Sequence, residues 1–267
     1  MLDRIAELYR ALFRIALLGQ IQYRASGMIW MIGSVVEPTV YLVVWSAVST
    51  SRGGDVAGYG PHEFAAYYMT MLVVSHLTFS WVMHDFTFRV QYGSLSFELL
   101  RPIHPIHADV CANLAYKALM LVVVVPALAV LWFTFEPNFT PNATSLNFLP
   151  VLVLAFAVRF CIEWTLALAA FWTTRVTALN QVYFSVQMFL SGRVAPIAVM
   201  PLWLQDTAHT LPFYYTVAFP VEVALGRLTP TEILQGLAAQ LMWLAVALGL
   251  LALIWRRAVR HFSAVGQ

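Results

Sequence analysis

The sequence predicts an all-α polytopic membrane protein: six transmembrane helices, an N-terminal amphipathic helix, and a re-entrant hairpin between the fifth and sixth spans. Three observations carry that prediction. Of 267 residues, 61% are hydrophobic and only 10% charged, whereas soluble domains run at roughly 25% charged. Several apolar stretches exceed the roughly 20 residues that cross a bilayer as helix. The segments between them are short, so residues 1–267 read as a single transmembrane domain with no sizeable soluble insertion.

Residues 2–23 open the chain as an amphipathic helix. A turn of roughly 100° per residue puts Asp3, Glu7, Arg10 and Arg14 on one narrow face, with Leu2, Ile5, Leu8, Leu12 and Ile15 opposite. Such a helix lies at the membrane surface; a cytosolic cap helix is the plainer alternative. Its early charges are unlike those of a cleavable signal peptide.

The first span covers 27–49 and contains Glu37 beside Pro38, where a lost backbone hydrogen bond favours a kink. The second covers 64–84 and leads into GSLSFELLRPIHPIHAD, residues 93–109. The third, 110–133, carries Lys117 and Pro126, and the fourth, 148–172, carries Arg159 and Glu163. The fifth runs 177–192 and the sixth 233–255. Between the last two, residues 193–226 are apolar, but Pro196, Pro201, Pro212 and Pro220 cut them into pieces too short to cross. Non-helical backbone at membrane depth must be buried in protein or line a wet cavity. The segment is therefore expected to dip into one face and return.

Positive charge orients the chain. With six spans, one side collects Arg4, Arg10, Arg14, Arg24, Arg89, Arg101, Arg175, Arg256, Arg257 and Arg260, and the other Arg52, Arg193 and Arg227. The richer side is cytoplasmic by the positive-inside rule. Both termini and residues 86–109 then lie inside, and the broken hairpin faces outward.

Chemistry is sparse. His104 and His107 lie three apart with Asp109 following, but zinc needs three or four ligands in fixed geometry and no other cluster completes a site; no metal is expected. His84 and Asp85 could be imagined as an acid–base pair, yet the chain has no nucleophile elbow, H-E-x-x-H or phosphate loop. No catalytic residue is assigned. Ionisable residues within spans are costly and default to function. Arg159 and Glu163, four apart, share a helix face and can pair, in a structural or a transport role. Glu37 could be protonated, face water, or meet a basic residue on a neighbour.

Two stretches carry a family resemblance. GSLSFELLRPIHPI resembles the G-x-L-x-x-x-L-L-R-P segment between spans two and three of bacterial ABC transporter permeases of the type-2 export superfamily. LAAFWTTRVTALNQVYFSVQMFLSGRVAPIAVMPLWLQ, with LPFYYTVAFPVEVALG after it, is similar to the fifth span and outer hairpin of the small six-span members that lack a large extracellular domain. The two histidines after the R-P pair are no requirement of that pattern. The resemblance implies a multi-pass permease in the bacterial cytoplasmic membrane, dimerising with itself or a sister chain. It implies separate ATPase subunits that bind ATP and Mg, no cofactor in this chain, and no nucleic-acid partner.

By resemblance, the loop after span two is a coupling helix that sits in an ATPase cleft. It would use Gly93, Leu95, Leu99, Leu100, Arg101, Pro102 and Pro105, with Phe97 adding apolar contact. The N-terminal helix would be a sliding elbow against lipid. Ser191, Gly192, Arg193, Pro196, Pro201 and Pro212 would belong to an outer gate. Export of an amphiphilic, lipid- or glycan-linked or drug-like substrate is the expected direction. Two alternatives stay open: a proton-coupled secondary transporter using Glu37, Arg159 and Glu163, and an integral membrane enzyme using His84 and Asp85.

Overall fold

The computed structural model describes residues 2–22, 24–173 and 176–261. Tyr23, placed at the end of the first helix, and Arg175, counted on the cytoplasmic side, lie outside the described residues. Among the described residues the regular structure is helical, with one isolated bridge between Val56 and Tyr59 and no strand. Helix α1 (Leu2–Gln22) packs along α6 (Ile106–Phe135), while α2 (Arg24–Ser51) packs on α3 (Pro61–Thr78) and α6. Helices α4 (Val82–Gln91) and α5 (Leu95–Leu99) lead to α6, and α7 (Phe148–Ala167) packs against the long α12 (Pro230–His261). Between them lie α8 (Val176–Leu190), α9 (Leu202–Thr210), α10 (Pro212–Thr216) and α11 (Ala218–Ala224).

Among the described residues, four segments are long and apolar enough to cross a membrane: Ile32–Ser51, Ile106–Phe135, Ala143–Phe171 and Pro230–Arg260. They fall on the predicted first, third, fourth and sixth spans. The other two positions differ from the sequence reading. The predicted 64–84 span is divided: α3 ends at Thr78, the backbone of Phe79 turns extended (φ −61°, ψ 146°), and α4 resumes past Trp81. The fifth, α8, has 15 residues, which at ~1.5 Å rise per residue reach about 22 Å, short of a hydrocarbon core of about 30 Å. It stops because Gly192 adopts a left-handed φ of +79° and redirects the chain.

Residues 193–226 are broken as the prolines demand. Pro196 caps a 3-10 turn at Ile197–Val199, Pro201 caps α9, and Pro212 opens α10. At a helix start proline's missing N–H costs nothing, since the first N–H groups lack intrahelical partners. These pieces bury Tyr214, Phe219, Val221 and Val223 against α3 and α7. Two loop asparagines brace these pieces and α3: Asn138 donates to Glu63, and Asn142 donates to the Gly226 carbonyl.

Candidate functional site

The G-x-L-x-x-x-L-L-R-P segment forms a small protrusion between α4 and α6. Gly93 takes φ +71°, which frees the chain to reverse out of α4. In α5, Leu95 is 0% exposed, whereas Phe97 is 71% and Leu100 83% exposed. Leu99 is half-buried, and Arg101 and Pro102 face solvent. The predicted apolar set therefore divides. Leu95 anchors the segment in a core with Val82, Met83, Phe86 and Trp164, and cannot touch a partner; Phe97 and Leu100 can. Pro105 is buried and caps α6.

Beneath the protrusion lies an arrangement that the sequence reading missed. Arg89 of α4 straddles two carboxylates: its Nη1 donates to Glu98 of α5 at 2.8 Å and its Nη2 to Asp109 of α6 at 2.9 Å. Asp109 also accepts from the Trp164 indole of α7 at 2.8 Å. Burial works against the Arg89 charge, but Asp109 and Glu98 more than offset it and hold its pKa above the usual value. The two histidines face different neighbours. His104 packs at a tilt against Trp255 and Trp164 and accepts from the Ile106 N–H. Burial, then the nearby His107, pushes its pKa down. His107 Nδ1 lies 2.6 Å from the Tyr9 hydroxyl and so ties α1 to α6.

Deeper in the bundle, the predicted Arg159–Glu163 pair is present at 2.8 Å, with side chains 1% and 0% exposed. Both ends have further partners. Arg159 also donates to Thr78 and Gln187, and Glu163 accepts from Ser80 at 2.5 Å and from Tyr183. This cluster surrounds the break between α3 and α4. Lys117 completes it, donating to the Phe79 carbonyl at 2.7 Å. An interrupted helix at depth is tolerable only when such groups replace its lost backbone bonds.

A cavity of about 330 Å³ opens beside this cluster, lined by Trp30, Glu37, Ser75, His76, Arg159 and Arg193, among others. A second, of about 270 Å³, reaches Gln20, Asp85 and Asn113. They share Trp30, Trp81 and Tyr116, and the two tryptophans meet edge to face at 5.2 Å. Together they form a crevice with an aromatic waist. His84 and Asp85 do not form a hydrogen-bonded pair: His84 lies over Phe184, and Asp85 lines the crevice.

Glu37 finds its partner at the other end of the crevice. Its carboxylate accepts from Arg193 at 2.8 Å, joining the middle of α2 to the turn after α8. Ser191 and Gly192 are buried in that turn. The Tyr67 hydroxyl donates to the Gly192 carbonyl, and Tyr68 and Trp45 both donate to the Val194 carbonyl, each at 2.8 Å. The Glu37–Arg193 pair sits in the cavity wall, so the effect of Glu37→Gln should appear in access. A cysteine at Gly33, where an added Cβ meets open space in the cavity wall, should react several-fold faster with an impermeant thiol reagent. Cys111 and Cys161 are buried and give a low background.

A family model described as "ABC-2 family transporter protein" matches residues 35–266. No curated protein matches the chain.

Proposed function

The chain belongs to the ABC-2 transporter family, whose model covers nearly all of it, and from that premise we propose that it is an export permease driven by separate ATPase subunits. ATP and Mg are bound by those subunits, which dock on the Phe97–Leu100–Arg101 protrusion. The observation that carries this reading is the exposure of Phe97 and Leu100 on a short helix anchored from behind by Leu95. Apolar side chains held in one geometry lose little entropy on binding, as a docking element requires.

The permease has six spans in the bacterial cytoplasmic membrane, with both termini inside. Helix α3 and the start of α4 make the second span, α8 with its flanks the fifth, and residues 193–226 re-enter from outside. Two copies, or one copy and a sister chain, face each other in lipid. Closure of the ATPases drives the protrusions together and parts the outer hairpins. The crevice of Trp30, Trp81 and Tyr116, with Glu37 and Arg193 at one end, suits an amphiphilic cargo of lipid-linked, glycan-linked or drug-like type. The Arg159–Glu163 pair, buried and tied to Thr78, Gln187, Ser80 and Tyr183, favours a structural role over the proton-coupled alternative.

Co-purification tests the docking assignment. Leu100→Asp and Arg101→Ala are expected to lower the ATPase bound per permease, Leu100→Asp by tenfold or more. Binding unchanged in both variants would remove the protrusion as the docking site.

A further inference from the structure

We propose that Arg89 is the positioning residue that carries movement of the protrusion into the wall of the crevice. The proposal rests on the docking reading above. One guanidinium joins three elements directly, α4 through its own backbone, α5 through Glu98 and α6 through Asp109, and reaches a fourth through the Asp109–Trp164 bond. It also lies 5.0 Å over the Phe86 ring, which fixes its plane.

Each link is needed for a reason on one side or the other. Helix α5 has five residues, too few to hold a direction by its own backbone bonds. Leu95 in the core therefore sets how it sits, and Glu98 ties it to Arg89. On the far side, Asp109, Asn113 and Tyr116 follow the i, i+4, i+7 spacing of one helix face. Asn113 donates to the Asp109 carbonyl at 2.9 Å, and Asn113 and Tyr116 both line the crevice. The next residue, Lys117, holds the Phe79 carbonyl at the break in the second span. A push on α5 thus reaches the start of α6 through a charge-assisted fork, and α6 passes it to the aromatic waist. Separating the fork would strand two partly buried carboxylates, so the elements move together rather than apart.

The test uses the full complex with the ATPase subunits that copurify with it, carrying a Gly33→Cys reporter in the crevice. Arg89→Gln and Glu98→Gln are compared with that parent. Both are expected to keep bound ATPase within twofold, while the ATP-dependent change in thiol labelling at position 33 falls at least fivefold. A residue that merely supported packing would not uncouple these two readouts. A labelling change within twofold of the parent in both variants overturns the proposal, as does loss of ATPase binding in both, which would make Arg89 a shaper of the dock. No ATP-dependent labelling in the parent overturns it as well. Glu98 is near the surface, so Glu98→Gln decides alone if Arg89→Gln fails to assemble. Leu100→Asp separates the two readings: retained ATPase there defeats the docking assignment itself, and the proposal with it.

Discussion

Arg159→Leu is expected to remove most of the folded chain from detergent extracts. Glu163 would keep its charge with 0% of its side chain exposed, and the remaining donors, Ser80 and Tyr183, are neutral hydroxyls. Breaking a buried ion pair from one side costs about 3–5 kcal/mol, a large share of a total stability of about 5–15 kcal/mol. Thr78 and Gln187 would lose their guanidinium partner as well. The double change Arg159→Leu with Glu163→Met removes both charges of the pair, so it should melt closer to the parent than Arg159→Leu does. Thermal melting followed by size-exclusion chromatography checks both. A single variant melting within about 2 °C of the parent, under ~1 kcal/mol for a chain of this size, would mean the cluster contributes nothing net.

Gly192→Ala should give the second largest loss. At φ +79° a side chain meets its own backbone, at a cost of roughly 1–2 kcal/mol. An added Cβ would also sit 2.6 Å from the Tyr67 hydroxyl and 2.9 Å from the Ala218 Cβ. Tyr67 would have to withdraw from the Gly192 carbonyl, giving up about 1 kcal/mol more. The variant should therefore melt several degrees lower. It should also loosen the Glu37–Arg193 contact one residue on, so a Gly33→Cys reporter should label faster. A parent-like melting curve and labelling rate together would show that the turn relaxes without penalty.

Composition and apolar run length made four membrane-capable segments legible, because twenty apolar residues leave little alternative to a spanning helix. The pairing of Arg159 with Glu163 was legible from spacing alone. The break at Phe79 was not, since no proline or glycine marks it. Its stabiliser, Lys117, comes from another helix 38 residues away. The partner of Glu37 lay 156 residues off, beyond any periodic signal. Arg89 read as one more cytoplasmic charge, because carboxylates nine and twenty residues on fall on separate elements and leave no pattern. One signal was available and unused. Leu95 and Leu99 share an i, i+4 face, so one side of α5 had to turn inward, leaving Phe97 and Leu100 for the other.

The break between α3 and α4 also constrains how the chain is made. Lys117 leaves the ribosome before Arg159 and Glu163, and the Phe79 carbonyl that receives it has already been synthesised. A lone ammonium or a broken backbone is poorly accepted by lipid, but together they satisfy each other. Helices α3 and α6 are thus suited to leave the insertion machinery as a pair, with α7 arriving later as a self-neutralised unit. Biogenesis would proceed by matched sets of helices rather than one helix at a time.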